Sequence, residues 1–181
     1  DATPRTRSTQ HALALYMDSV VWAPDGRLAY QTSDQRNYYL LDPESGNEQR
    51  LGSTDTGWMF YPRFSPDRSR VAVYWNRRPS GPALWTIDLK TRTETFIAGG
   101  IVPVGWSPDN RVIYGVRSPA GEAEIIRVDL LTGTKSVLAR FPSGVVESGS
   151  VSRDGRQILC SVREDNADAW VIENFDPHHP R

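Results

Sequence analysis

The residue types that carry most enzymatic and metal chemistry are scarce in this chain. Its three histidines are His11, His178 and His179, and the last two lie beside prolines near the end. Side chains alternate along an extended segment, so adjacent histidines point apart, and no cluster of cysteines or acids accompanies them as a zinc site requires. No G-x-S-x-G pattern provides a nucleophile for a hydrolase triad. We therefore expect no enzymatic activity, no metal site and no cofactor.

A short turn that contains an aspartate occurs four times. The four aspartates could be considered as ligands of a metal ion. A single ion needs its ligands within about 2.6 Å, and aspartates on four separate turns lie too far apart for that. An aspartate in such a turn can instead accept a hydrogen bond from the backbone N–H two residues later. We interpret these residues as turn residues; they are Asp25, Asp67, Asp109 and Asp154.

Composition narrows the classes of partner. The formal net charge is -1 and no basic block is present, so we expect no nucleic-acid binding. No apolar stretch approaches the roughly 20 residues of a membrane span, so we expect no membrane insertion by this segment. The single cysteine, Cys160, lies in an apolar run, which predicts a buried, inert thiol. Because the first residue is Asp1, we expect the natural N-terminus to lie outside this sequence. These features therefore favour no particular cellular compartment.

The turns share their period with two other landmarks, which predicts a repeat. Successive turn aspartates are 42, 42 and 45 residues apart, and the aromatic or apolar residue before each turn keeps the same spacing. A second apolar strand that ends in an acid follows in every unit. Four short strands in about 42 residues are typical of a β-propeller blade. The sequence therefore predicts an all-β chain of four four-stranded antiparallel blades.

The ends of the repeat predict how the ring closes. The last unit lacks its outer strand, while a surplus strand precedes the first unit. We predict that residues 11–16 pair with the third strand of the last blade and leave no open edge. Half of a larger propeller, or of a dimeric eight-bladed one, is the alternative. The predicted segments are a linker or arm (1–10), a propeller (11–175) with blades at about 17–54, 55–98, 99–142 and 143–175 plus 11–16, and a tail (176–181).

The repeat phrases W-A-P-D-G-R-L-A-Y, F-S-P-D-R-S-R-V-A-V and W-S-P-D-N-R-V-I-Y resemble the TolB-like (PD40) propeller repeat, which is related to WD40-like families. The fourth copy departs from it, with Arg153 in place of proline and Val151 in place of the aromatic residue. The ending from Asp168 to Phe175 is similar to the final strand of TolB-like propellers found behind bacterial serine/threonine kinase domains and winged-helix regulators. The resemblance implies a sensor or scaffold domain of a larger bacterial protein. It favours an extracytoplasmic location if that parent is a membrane-anchored kinase or a TolB-like protein.

Candidate binding residues are those that the repeat itself does not require. They fall in loops that share one face of the propeller, and aromatic residues with arginines are typical of interaction hot spots. In the competing interpretation Trp58 and Phe60 pack in the core and the arginines are solvated. We expect a protein or peptide partner, with three alternatives: a small ligand or sugar in the central channel, an accessory role beside a prolyl-peptidase-like hydrolase, and a homodimer. The candidate residues are Trp58, Tyr61, Arg63, Arg77, Arg78 and Arg117.

Overall fold

Fifteen β-strands in four antiparallel sheets make up the named elements of the computed structural model. At positions 147, 163 and 167–173 only the backbone is described. Within the described part, no helix has the length and apolar character that a membrane span needs. The described residues are 9–13, 19–54, 56–119, 122–141, 145–163 and 167–173.

Each sheet is one propeller blade whose strands follow chain order, so the predicted antiparallel blades of an all-β propeller are confirmed. The fourth sheet has three strands in the described residues, whereas the others have four. The strands are β1 (Val20–Trp22), β2 (Leu28–Gln31), β3 (Tyr38–Leu41) and β4 (Glu48–Arg50) in blade 1; β5 (Trp58–Phe64), β6 (Arg70–Arg77), β7 (Gly81–Asp88) and β8 (Glu94–Gly99) in blade 2; β9 (Val102–Trp106), β10 (Val112–Arg117), β11 (Ala123–Asp129) and β12 (Lys135–Phe141) in blade 3; and β13 (Val145–Val151), β14 (Gln157–Arg163) and β15 (Ala167–Glu173) in blade 4.

Hydrophobic clusters join consecutive blades, because both faces of each sheet are apolar. On β6, Val71 and Val73 belong to the cluster with blade 1, whereas Ala72 belongs to the cluster with blade 3. The cluster between blades 3 and 4 contains Tyr114 and Cys160. Burial raises the pKa of the Cys160 thiol, which fits the predicted inert cysteine. Three such clusters are present, and none of the described residues forms a fourth between blades 4 and 1.

The N-terminal segment packs on the first blade, and the prediction that it completes the last blade is wrong for its described part. Leu13 forms a bridge with Thr32, and the Ala12 carbonyl accepts a hydrogen bond of 2.8 Å from the Ser33 N–H. Thr9 and Leu13 also line a pocket with Val20, Trp22 and Leu28, so this segment lies beside apolar side chains of blade 1. The rest of the predicted closing strand (14–16), the arm up to residue 8 and the tail with its two histidines lie outside the described residues.

The turn between the first two strands of every blade is closed by its aspartate. Each aspartate accepts a hydrogen bond of 3.0 to 3.1 Å from the backbone N–H two residues later. In three of the turns a serine hydroxyl two residues earlier also donates, at 2.5 to 2.6 Å. The interpretation of these aspartates as turn residues is confirmed. The described residues hold no group of three His, Cys, Asp or Glu side chains that could bind a metal ion.

The acids at or directly after the ends of the third strands of blades 1 to 3 also accept hydrogen bonds from turn N–H groups. Asp88 accepts hydrogen bonds from the N–H groups of Lys90 and Thr91, at 2.9 and 2.7 Å. Asp42 and Asp129 accept equivalent bonds two and three residues later. Hydrogen bonds favour the ionised carboxylate and hold the pKa of all three aspartates below the ordinary value of 3.8. The backbone bonds are the main cause for Asp88 and Asp129, whereas for Asp42 the Ser45 hydroxyl is the main donor and the backbone bonds come next.

Acid should therefore destabilise the protein over a narrow range. A carboxyl with a lowered folded-state pKa stabilises the fold above its unfolded pKa, and that contribution is lost as the pH falls through the folded pKa. We expect the urea midpoint to be nearly constant from about pH 8 to 5 and to drop between about pH 4 and 2. Asp88→Asn should lower the midpoint at pH 7 and flatten the acid drop. An equally steep drop in this variant would contradict the assignment.

Candidate functional site

Four aromatic side chains lie together where the inner strand of blade 2 begins, and none of them is buried. Phe60 on β5 is in register with Tyr74 on β6, and its ring centroid lies 6.0 Å from that of Tyr61. Burial is the main cause that raises the pKa of Tyr74, and the neighbouring Tyr61 is the second cause. Trp58, two residues before Phe60, is 50% exposed. We call Trp58, Phe60, Tyr61 and Tyr74 the aromatic corner.

The local backbone explains why these rings stay outside the core. Met59 is the fully buried residue of this segment, so its neighbours Trp58 and Phe60 point to the opposite face. A register shift between Phe60 and Arg63 marks a bulge, and Tyr61 within it has φ of 54°. Bulges re-aim side chains at the ends of strands. The expectation that Trp58 packs in the core is therefore wrong, and Met59 takes that place.

Arg77 is anchored within blade 2 and is not a solvated loop residue. Its guanidinium carbon lies 4.6 Å and 4.7 Å from the ring centroids of Trp75 and Trp85. The same group donates a hydrogen bond to Glu94, whose side chain is only 10% exposed. By contrast, its neighbour Arg78 is exposed in the hairpin loop. Of the two arginines, Arg78 is the one that lies exposed at the surface.

Arg117 is paired within blade 3. Its Nε donates a 2.6 Å hydrogen bond to Glu124, and Arg140 donates one of 3.0 Å to the other oxygen of the same carboxylate. The hydrogen bond from Arg117 is the main reason why the pKa of Glu124 lies below its usual value. The Arg117 side chain is still 39% exposed, so its outer part remains at the surface.

Arg63 lies in a second location, a central cleft of about 960 Å³ between the inner strands of all four blades. Its guanidinium donates to the backbone carbonyls of Val104 and Pro62, at 3.1 and 3.2 Å. The structure therefore separates the predicted residues: Trp58 and Tyr61 share the aromatic corner, whereas Arg63 lines the cleft.

Sequence reasoning overlooked two residues of this cleft. The prolines of the three regular turns all line it, and Arg153 lines it at the position where the fourth turn lacks proline. Trp22 also lines it and is 66% exposed. The missing proline was the available signal for Arg153. No signal marked Trp22, because its repeat counterparts Phe64, Trp106 and Val151 belong to, or pack against, the hydrophobic clusters.

No protein-family profile matches the chain. The curated dipeptidyl-peptidase 5 of Porphyromonas gingivalis is 25% identical over 131 residues, which is 62% of this chain and 19% of the peptidase. TolB of Acinetobacter baumannii superposes with a TM-score of 0.71 at 23% identity, over 86% of this chain and 40% of that one. The chain has a TolB-like β-propeller fold.

A putative TolB of Agrobacterium tumefaciens gives a similar result, with a TM-score of 0.70 at 20% identity over 86% of this chain and 57% of that one. At this level of identity the likeness concerns the fold. The chain spans less than two thirds of the length of each of these three proteins.

Proposed function

We propose that this TolB-like propeller is a non-catalytic domain that binds a protein or peptide through the aromatic corner. The observation that carries the proposal is the exposure of Trp58 beside three further aromatic side chains that are not buried. Leaving four aromatic side chains at one strand end has no benefit for the core, which Met59 already fills. Aromatic and arginine side chains dominate binding energy at protein interfaces.

The surroundings of the aromatic corner support the same role. Trp58 is in register with Asn76, so the corner lies at the end of β6 that leads into the Arg78 loop. Arg78 adds an exposed cation to this face, and the favoured ligand is therefore a segment that combines apolar and acidic residues. The blades hold the corner on paired strands, and a rigid site loses less entropy on binding than a mobile loop.

The resemblance to propellers of kinases and regulators supports a sensor or scaffold role in a larger bacterial protein, outside the cytoplasm. The similarity to dipeptidyl-peptidase 5 favours an alternative, an accessory propeller beside a hydrolase. The central cleft favours another, a small ligand held by Arg63, Arg153 and the serines of β13. A ligand bound in the cleft would not contact Trp58, so one substitution distinguishes this alternative from the first proposal.

Peptides selected from a random displayed library on the immobilised chain test the proposal. We expect Trp58→Ala to weaken their binding at least tenfold, about 1.4 kcal/mol, as measured by isothermal titration calorimetry. The fold should be unaffected, because Trp58 is half exposed. Leu131→Ala is the matched control, since Leu131 is 78% exposed on a turn at the opposite end of the blades. Equal affinities for the Trp58→Ala variant and the unmodified chain would refute the aromatic corner as the binding site.

A further inference from the structure

The junction between blades 2 and 3 differs at one end from the junction between blades 1 and 2. Trp75 on β6 is fully buried in the cluster that joins blades 1 and 2. Its counterpart on β10 lies 42 residues later, the spacing of the turn aspartates of these two blades, and is Arg117. The Arg117 side chain is 39% exposed. A position that an indole fills at the first junction is therefore occupied by a cation at the second.

The charged group around Arg117 lies on the face of blade 3 that is turned toward blade 2. Ile113 on β10 and Ile126 on β11 belong to the cluster between these two blades. Side chains alternate along a strand, so Arg117, four residues after Ile113, and Glu124, two residues before Ile126, lie on the same face. Arg140 is directly opposite Glu124 in the register of β11 and β12, so it shares that face.

The aromatic corner lies on the face of blade 2 that is turned toward blade 3. Leu84 on β7 belongs to the cluster between the two blades, and it is directly opposite Tyr74 on β6. Tyr74 is in turn opposite Phe60, and the pair of Trp58 and Asn76 lies two residues further along the same strands. Paired side chains project from the same face of a sheet, so Trp58, Phe60 and Tyr74 are all on the side of blade 3.

The aromatic corner and the charged group also lie at the same end of this junction. Trp58 begins β5 and Arg117 ends β10, and both positions are at the strand ends remote from the aspartate turns. Arg117 and Arg140 share the single carboxylate of Glu124, so one positive charge of this group is not balanced within it. The Arg140 side chain is 61% exposed, and a guanidinium has five N–H donors, so it can contact a ligand while it remains bonded to Glu124.

We propose that the peptide ligand of the aromatic corner lies across this junction and that Arg140, together with Arg117, binds an acidic side chain of that peptide. An apolar residue of the peptide packs on Phe60 and Tyr74, while a nearby Asp or Glu accepts hydrogen bonds from the guanidinium groups. The inference rests on the proposed function and adds the contact that gives it selectivity. The unbalanced charge favours acidic ligands and disfavours basic ones.

Arg140→Gln tests this contact with the peptides selected on the immobilised chain. Arg117 still pairs with Glu124 in this variant, so the fold should be retained, as circular dichroism will verify. We expect the selected peptides to share an acidic residue, and Arg140→Gln to weaken their binding about fivefold or more in isothermal titration calorimetry. Replacing the shared acid of the peptide by its amide should have a similar effect on the unmodified chain. The two changes together should weaken binding no further than either one alone.

Arg156→Gln is the matched control, because Arg156 is an exposed arginine on the Asp154 turn, at the opposite end of the blades. It removes the same charge and should leave the affinity unchanged. An equal loss in Arg156→Gln and Arg140→Gln would mean that net charge alone attracts the peptide, and would overturn the contact.

The substitution of Trp58 separates this inference from the proposed function. Trp58→Ala should weaken the binding of the acidic peptide and of its amide version alike. If Trp58→Ala weakens binding but Arg140→Gln does not, the aromatic corner remains the binding site and the contact with Arg140 is overturned. Additive losses from Arg140→Gln and the amide peptide, or selected peptides without a common acid, would overturn it as well. Unchanged affinity in Trp58→Ala would refute the aromatic corner itself, and the inference with it.

Discussion

Replacing Gly57 by alanine is expected to destabilise the protein by more than about 4 kcal/mol, a loss large enough to unfold a marginally stable domain. Gly57 has φ of +81°, and a Cβ built on it would lie 1.5 Å from the Asn76 carbonyl oxygen and 2.6 Å from its carbon. These are backbone atoms of the neighbouring strand, so no side-chain rotation relieves the clash. The strands β5 and β6 would have to separate where the aromatic corner begins. Urea denaturation followed by circular dichroism measures the loss.

Gly100→Ala is the control that separates the clash from the backbone conformation. Gly100 has φ of +67°, also left-handed, but an added Cβ would have no atom within 4 Å. The expected cost is therefore only the conformational strain of alanine, about 1 kcal/mol. Similar losses in the two variants would show that the close approach of Gly57 to Asn76 does not exist in solution.

The fold could be predicted from the sequence because its signals are local and repeated. A turn such as the one closed by Asp67 has hydrogen bonds that span two residues, and its neighbours supply every group involved. The same turn at a fixed period then specifies four blades without knowledge of any long-range contact. The aromatic corner was partly predictable for a related reason, since aromatic residues at Trp58 and Tyr61 depart from the other copies of the repeat.

The errors concern interactions between residues that are distant in the sequence. Residues 11–16 have two surfaces on which they could pack: the outer edge of blade 4 and the apolar face of blade 1. Tertiary packing decides between them, and the His11 ring lies 4.2 Å from Tyr39 of blade 1. Trp22 fits the repeat as well as Trp106 does, yet its exposure depends on which blade precedes it. No local pattern contains that information.

Arg77 is the most instructive of the long-range cases, and its replacement has the second largest expected effect. Arg77→Ala should lower the free energy of unfolding by about 3 kcal/mol, because it removes contacts with two indole rings and leaves the nearly buried Glu94 without its guanidinium partner. Guanidine denaturation at neutral pH provides the measurement. Arg78→Ala, one residue further along at an exposed position, should change stability by less than about 0.5 kcal/mol.

A second readout identifies the cause of the loss. Burial would raise the pKa of Glu94, but hydrogen bonds from Arg77 and from the Ser53 N–H keep it below its usual value. In Arg77→Ala this pKa should rise, and carboxyl titration by NMR will detect the change. Arg77→Lys retains a positive charge but not the planar group that stacks on Trp75 and Trp85, so its stability should lie between those of the alanine variant and the unmodified chain. An unchanged Glu94 pKa in Arg77→Ala would mean that the ion pair is not formed. A loss equal to that of Arg78→Ala would restore Arg77 as a surface residue available to a partner.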